Sequence, residues 1–245
     1  MSAPLLLDVS QGIATLTLNR EGALNSLNGA LRRALVETLA EVDARADVRA
    51  IILTGTGRAF CAGLDVKELT ASGRNVSDNV DDTDIGGAIT ALKTPIIAAI
   101  NGLAVTGGFE ITLCCDIVIA AQSAWFCDSH AKIGLLPGWG LSQRLSRSIG
   151  PSRAKEISLT ARKVGAEEAC ELGFVSYVVP DDRLAAKARE TAAAIAQWDG
   201  ATTRQIKALI NEGFAMPLSE ALIHEKTVSQ AFNAGVTLTT KKPGT

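Results

Sequence analysis

The sequence predicts an α/β core in which parallel strands alternate with helices. Its 245 residues are 47% hydrophobic, mainly Ala, Leu, Ile and Val with few aromatics, which is enough apolar material for one sizeable core. Three continuous apolar runs, Ala50–Thr54, Pro95–Ile100 and Asp116–Ala120, are typical of strands buried on both faces. Helical segments separate these runs, and helical crossovers are the usual connection between parallel strands.

The N-terminal segment predicts a hairpin followed by a helix. Leu5–Val9 and Ile13–Leu18 are short β-prone runs on either side of Gly12. Residues 27–44 predict an amphipathic helix, because apolar residues recur on one stripe. The stripe consists of Leu31, Leu35, Leu39 and Val42.

The rest of the chain predicts one polar loop and a largely helical second half. Residues 71–84 have low hydrophobicity and predict a mobile surface loop. After Ser142 the chain is mostly helical, and the ending TKKPGT is expected to fray. The C-terminal helices are predicted at 181–198, 202–214 and 218 to about 232.

Charge and cysteine usage exclude several classes of protein. The net charge of −2 provides no basic field for nucleic acid or an anionic membrane. Five cysteines, an odd number without metal-knuckle spacing, predict a reduced cytoplasmic protein without a metal site. The first residues show neither a secretory signal nor a transit peptide. The longest apolar stretch, 95–105, is interrupted by Asn101 and is too short to span a bilayer.

Two loops that leave buried strands are candidates for chemistry. Residues 58–67 follow the first apolar run, and residues 101–110 follow the second. Both place small residues at the carboxyl end of a strand and before a helix, where open α/β sheets bind ligands. Two backbone N–H groups aimed at one point would stabilise a developing oxyanion. The alternative is that the glycines only permit tight turns.

Five stretches of the chain resemble the enoyl-CoA hydratase/isomerase family in content, order and spacing. They are AFCAGLDVKEL, KTPIIAAINGLAVTGGFEITLCCDIVIA, IGLLPGWGLSQRL, LNREGALNSLN and TARKVGAEEACELGFVSYVVP. The resemblance implies a crotonase-like spiral of β-β-α units in residues 1–195. It also implies a helical C-terminal region in residues 196–245 that helps to build a homotrimer or a pair of trimers.

The resemblance also implies a site for an acyl-CoA thioester, with no cofactor because coenzyme A is part of the substrate. The oxyanion-hole amides fall on Leu64, after Ala62 and Gly63, and on Gly107. Residues lining the acyl and pantetheine path would be Leu64, Asp65, Val66 and Lys67, with Lys67 near a phosphate. Ala23 and Leu24 would lie against the CoA end. Family members usually have a third glycine where this chain has Thr106.

The acid–base residues depart from the family pattern. Hydratases of this family use two glutamates to hold one water. The glutamates deliver the water oxygen to C3 of the enoyl-CoA and a proton to C2. The first glutamate matches Glu110. Alignment on Phe126 and Gly134 places His130 at the second position, and Asp128 could orient or charge its imidazole.

Several interpretations therefore stay open. Glu110 could merely complement a helix dipole, and His130 could be structural. Cys61 is a possible nucleophile but has no evident local base. The leading hypothesis is reversible hydration of a 2,3-unsaturated acyl-CoA. The alternatives are other enolate chemistry (double-bond isomerisation, decarboxylation or thioester hydrolysis) or a catalytically silent acyl-CoA binder.

Overall fold

The computed structural model describes residues 3–73 and 83–236. The chain forms two compact units, residues 1–200 and residues 201–245. The predicted division at 195/196 falls just before the end of the first unit.

Strands and helices alternate through the first unit. The described strands are β1 (Leu5–Ser10), β2 (Ile13–Leu18), β3 (Ala50–Gly55), β4 (Ala59–Cys61), β5 (Ile96–Ile100), β6 (Leu103–Val105), β7 (Ile117–Ala121), β8 (Trp125–Cys127), β9 (Lys163–Gly165) and β10 (Tyr177–Val179). The described helices are α1 (Gly29–Ala44), α2 (Val66–Ser72), α3 (Ile85–Thr90), α4 (Gly107–Cys114), α5 (His130–Ile133), α6 (Leu141–Ile149), α7 (Pro151–Thr160), α8 (Ala166–Leu172) and α9 (Leu184–Ala196). Short 3-10 turns cover Glu21–Ala23 and Asp181–Arg183.

Two sheets organise these strands as a repeating pattern. The six-stranded sheet has the order β1-β2-β3-β5-β7-β10, and the four-stranded sheet has the order β4-β6-β8-β9. Each of β3, β5 and β7 lies in the first sheet and is followed by a strand in the second sheet and then by a helix. This succession confirms the predicted spiral of β-β-α units.

The predicted hairpin and buried strands are confirmed by the pairing. β1 and β2 are antiparallel, whereas β2, β3, β5, β7 and β10 pair in parallel. All residues of β5 are buried, as a strand covered on both faces requires. The carboxyl ends of these parallel strands therefore lie on one edge, where the following loops can meet.

Helix α1 buries its predicted apolar stripe but begins two residues later than expected. Leu31, Leu35, Leu39 and Val42 are all buried. Asn28 caps the helix because its side chain accepts the Leu31 N–H at 3.0 Å. Leu27 stays outside the helix, since its N–H donates to the Gly63 carbonyl at 2.8 Å.

The predicted loop over residues 71–84 is wrong at its first two residues, which complete α2. Asp84 lies outside α3 and caps it by accepting the Gly87 N–H at 2.8 Å. Residues 74–82, the middle of that prediction, and the frayed ending TKKPGT lie outside the described residues.

The described part of the second unit contains the helices α10 (Gly200–Phe214), whose first residue ends the first unit, and α11 (Leu218–Asn233). Neither helix has a buried residue. Large apolar side chains are exposed on both, including Ile206, Ile210, Phe214, Leu218, Leu222 and Ile223. Within the described part of the chain, no helix is both long and apolar enough to cross a membrane.

Candidate functional site

One cavity of about 600 Å³ opens where the loops after the parallel strands meet. Its lining combines apolar side chains with a small group of polar ones, as ligand pockets do. Six of the residues predicted for the site line it: Ala62, Leu64, Val66, Gly107, Glu110 and His130. The other lining residues are Leu69, Asp84, Thr106, Ser129, Ile133, Leu135, Leu136, Gly138 and Trp139.

The backbone N–H groups of Leu64 and Gly107 are not used by the fold. Leu27 bonds to the residues on both sides of Leu64, donating to the Gly63 carbonyl and accepting the Asp65 N–H at 3.3 Å. In such a bridge the middle residue directs its own N–H away from the partner. Gly107 is the first residue of α4, so its N–H has no acceptor inside the helix. Among the residues that the structure describes, neither N–H donates to a protein acceptor.

Close backbone packing explains why glycines occupy both loops. Gly63 has φ +89°, and a Cβ there would lie 2.9 Å from the Val105 carbonyl oxygen and 3.2 Å from the Gly107 nitrogen. A Cβ on Gly108 would lie 2.1 Å from the Cys61 carbonyl oxygen. Glycine is therefore required for the loops to approach this closely. The same approach brings the Leu64 and Gly107 amides to one wall of the cavity.

The Glu110 carboxyl group is held from one side. Oε1 accepts the Trp139 N–H at 2.7 Å and lies 3.5 Å from the Leu141 nitrogen. The side chain is only 4% exposed. Burial raises the pKa of Glu110 above its ordinary value, although the Trp139 N–H and the nearby His130 act in the opposite direction. A carboxyl group with a raised pKa is suited to exchanging protons nearer neutral pH.

His130 lies between two carboxyl groups. Its Nδ1 is 2.6 Å from Asp128 Oδ1, and its Nε2 is 3.7 Å from Glu110 Oε2. An N–H on Nδ1 that donates to Asp128 leaves Nε2 facing Glu110. At 3.7 Å the two groups are too far apart for a direct hydrogen bond, but one water could bond to both.

Asp128 stays ionised in this arrangement and fixes the imidazole. Burial alone would raise the pKa of Asp128, but hydrogen bonds from His130 and Ser158 outweigh it and hold that pKa below its ordinary value. Asp128 Oδ1 also lies 3.2 Å from the backbone nitrogen of His130. The contact between Asp128 and the imidazole therefore supports the suggestion from the sequence that Asp128 orients His130.

Thr106 links the two sides of the cavity and is strained. Its φ of +53° and ψ of −111° are values that a β-branched residue rarely adopts, at a cost of about 1–3 kcal/mol. Its carbonyl accepts the Glu110 N–H and its N–H donates to the Cys127 carbonyl, both at 2.9 Å. Its hydroxyl forms a hydrogen bond with the Ser129 hydroxyl.

The remaining predicted residues lie outside this cavity. Ala23 and Leu24 line a second cavity of about 590 Å³ together with Glu21, Gly22 and Arg58. Asp65 pairs with Arg20 at 2.9 Å and caps α2. Lys67 is exposed on the first turn of α2.

Cys61 is buried, and burial raises the pKa of its thiol to about 12. A thiol with such a pKa carries almost no thiolate at neutral pH. The structure therefore gives no support to a nucleophilic Cys61.

Sequence reasoning missed the groups that hold Glu110 and His130 in place. The Trp139 contact is made by a backbone N–H, which any residue except proline could provide, so the residue type carries no signal. Ser129 had no signal of its own either. Thr106 did have one, since a β-branched residue stood at a position that usually holds glycine.

The comparisons with known proteins agree with this architecture. The enoyl-CoA hydratase/isomerase family model matches residues 8–238. The Arabidopsis thaliana protein named "Probable enoyl-CoA hydratase 1, peroxisomal" is 43% identical over 230 residues, covering 93% of this chain and 86% of the relative.

Two crystal structures show the same fold. The enoyl-CoA hydratase of Bacillus anthracis superposes with a TM-score of 0.87 at 38% identity, covering 93% of this chain and 90% of that one. The enoyl-CoA hydratase of Mycobacterium tuberculosis H37Rv gives a TM-score of 0.77 at 38% identity, covering 93% and 98%. With its crotonase-like spiral of β-β-α units, the chain belongs to the enoyl-CoA hydratase/isomerase family.

Proposed function

We propose that the protein is an enoyl-CoA hydratase that adds water reversibly to a 2,3-unsaturated acyl-CoA. The observation that carries this proposal is that Glu110 Oε2 and His130 Nε2 lie 3.7 Å apart inside a cavity, within reach of one shared water. Two groups that can exchange protons face each other there, beside two backbone N–H groups that donate to no acceptor in the described residues. A catalytically silent acyl-CoA binder would not require His130 to be fixed by Asp128 and turned towards Glu110.

The Leu64 and Gly107 N–H groups would bind the thioester oxygen. Attack at C3 pushes the electrons of the C2–C3 double bond onto that oxygen, which becomes the enolate oxygen. Donors that are already in place stabilise this charge without rearrangement. The start of α4 adds the positive end of a helix dipole.

Glu110 and His130 would divide the proton transfers. The Glu110 carboxylate takes one proton from water while the water oxygen bonds to C3. The protonated His130 gives the Nε2 proton to C2 as the enolate collapses. The proton on Glu110 then passes to Nε2, so that one water has been added and both residues have returned to their starting states.

The CoA portion would extend from this cavity towards the second one. Leu64 to Lys67 would follow the acyl and pantetheine path, and Ala23 and Leu24 would contact the CoA end. Arg58 lines the second cavity beside Glu21, and its guanidinium would be the group there that binds a phosphate oxygen. The proposal requires no resident cofactor. It also keeps the cytoplasmic location predicted from the cysteines, all of which are free thiols.

A panel of enoyl-CoA thioesters read by mass spectrometry tests the reaction. We expect at least one member to gain the mass of one water. Rearrangement without a change in mass, loss of carbon dioxide, or release of free CoA would instead identify isomerisation, decarboxylation or hydrolysis. Unchanged thioesters, together with calorimetric binding of acyl-CoA, would identify a silent binder.

We also propose that the protein is a homotrimer or a homohexamer. Its second unit exposes large apolar side chains, with Phe214 at 71% and Leu218 at 75% exposure, and a lone chain would leave this surface in water. Sedimentation at micromolar concentration should show no species of the 25.5 kDa single chain. Ile210→Asp should shift the population towards smaller species. A wild-type protein that sediments as a single chain would contradict the proposal.

A further inference from the structure

The candidate site is assembled from two separate segments. Gly107 and Glu110 belong to α4, which follows β6, whereas Asp128 and His130 belong to the turn between β8 and α5. Glu110 Oε2 and His130 Nε2 are 3.7 Å apart, too far for a direct hydrogen bond between them. Their relative position therefore depends on what joins the segments around them.

The Thr106 and Ser129 hydroxyls join the segments immediately beside the reacting groups. Thr106 precedes Gly107, and its carbonyl accepts the Glu110 N–H. Ser129 precedes His130 and stands at the start of α5. The hydrogen bond between the two hydroxyls consequently links the residue next to the oxyanion amide with the residue next to the imidazole.

Thr106 makes this contact from a backbone conformation that favours glycine. With φ at +53° and ψ at −111°, a side chain of any kind strains the backbone, and a β-branched one does so most. In the described part of the chain, Ser129 is the hydrogen-bond partner of the Thr106 hydroxyl. Backbone strain that is retained next to a candidate site indicates that the strained residue makes a functional contact.

We propose that Thr106 and Ser129 act as positioning residues that hold His130 at its working distance from Glu110. The contribution to hydration rests on the proposed function, because the distance matters only if Glu110 and His130 share the proton transfers. Neither hydroxyl needs to touch substrate. Loss of either one should leave CoA binding intact and slow turnover, since a displacement of about 1 Å at a reacting group can cost on the order of 100-fold in rate.

Matched variants separate the effect of the Thr106 hydroxyl from the effects of side-chain shape and of backbone strain. Thr106→Val keeps the β-branched shape and removes the hydroxyl, and Ser129→Ala removes the other partner. We expect each to lower kcat about 10- to 100-fold with KM nearly unchanged, and the double variant to lose no more than either alone. Thr106→Ser keeps the hydroxyl and should restore most of kcat. Thr106→Gly should raise Tm, because it relieves the strain, while it lowers kcat.

A second measurement does not depend on turnover. The chain has two histidines, His130 and His224. His224 lies on α11, where it pairs with Glu212 at 2.6 Å. In a His224→Gln background, ¹⁵N NMR observes His130 alone, so its tautomer and ring shifts can be followed directly. We expect Thr106→Val and Ser129→Ala to change these signals and Thr106→Ser to leave them in place.

The outcomes distinguish this proposal from the proposed reaction. A wild type that hydrates nothing refutes the reaction, while the NMR comparison still decides the positioning role. Unchanged His130 signals in both hydroxyl-deletion variants would overturn that role. So would equal losses of kcat in Thr106→Val and Thr106→Ser, or a Thr106→Gly variant that is more stable and fully active.

Discussion

Glu110→Gln should lower the rate of enoyl-CoA hydration by about 100-fold or more, the usual effect of removing an acid–base residue. Glutamine has nearly the same volume and keeps an oxygen to accept the Trp139 N–H, which bonds Glu110 Oε1 at 2.7 Å. The other oxygen, which faces His130, becomes an amide nitrogen that cannot accept a proton from water. Steady-state kinetics on a short enoyl-CoA measures the loss, and calorimetry should show that acyl-CoA binding survives.

Glu37→Gln provides the matched control, because Glu37 is exposed on α1, away from the cavity. It should retain wild-type kinetics. A Glu110→Gln variant that kept more than about a tenth of wild-type activity would show that another group activates water, since a positioned base contributes at least about 100-fold.

The pH dependence of the wild type should reflect the buried position of Glu110. Glu110 must be ionised to accept a proton, and burial raises its pKa. The rate should therefore be lost as pH falls through that raised pKa, at a higher pH than an ordinary glutamate would give. This loss on the acid side should be absent from any residual activity of Glu110→Gln.

Gly107→Pro should lower kcat by about 100- to 1000-fold, the usual cost of losing one oxyanion donor. Proline has no N–H, and the first position of a helix accepts its ring. Gly107 occupies that position in α4, although proline disfavours the φ of +53° and ψ of −111° at the preceding Thr106. Circular dichroism and thermal unfolding would therefore establish that the fold is retained before kinetics are compared.

Gly107→Ala is the control for crowding. A Cβ on Gly107 would lie 3.0 Å from Cζ3 of Trp139, which is tight but leaves the N–H in place. We expect alanine to cost much less activity than proline. Equal losses in the two variants would mean that the added atoms, and not the missing N–H, are responsible.

The fold could be predicted because its signals are local and repeated. Apolar runs of strand length mark β3, β5 and β7, and the spacing of Leu31, Leu35 and Leu39 marks α1. These patterns follow burial, because the positions that face the core hold apolar residue types. The last two residues of α2, Ala71 and Ser72, were missed because they begin a polar stretch whose low hydrophobicity is typical of a loop.

The cavity could be predicted only in part. Leu64, Gly107, Glu110 and His130 do line one cavity, as the family resemblance implied. The supporting groups could not be found, since the Trp139 N–H has no side-chain signature. The strain at Thr106 depends on φ and ψ, which follow from the close packing of β6, β8 and α4 rather than from the local sequence.

The initial rate of hydration of a short 2,3-enoyl-CoA by wild-type protein, measured as a function of pH, tests the central claim most directly. The Glu110 carboxylate must be ionised to take a proton from water, and burial raises its pKa, so the rate should fall as pH drops through that raised pKa. We predict a measurable rate with that fall. Absence of hydration at every pH, in protein that still binds acyl-CoA, would contradict the claim and leave only the fold and the pocket.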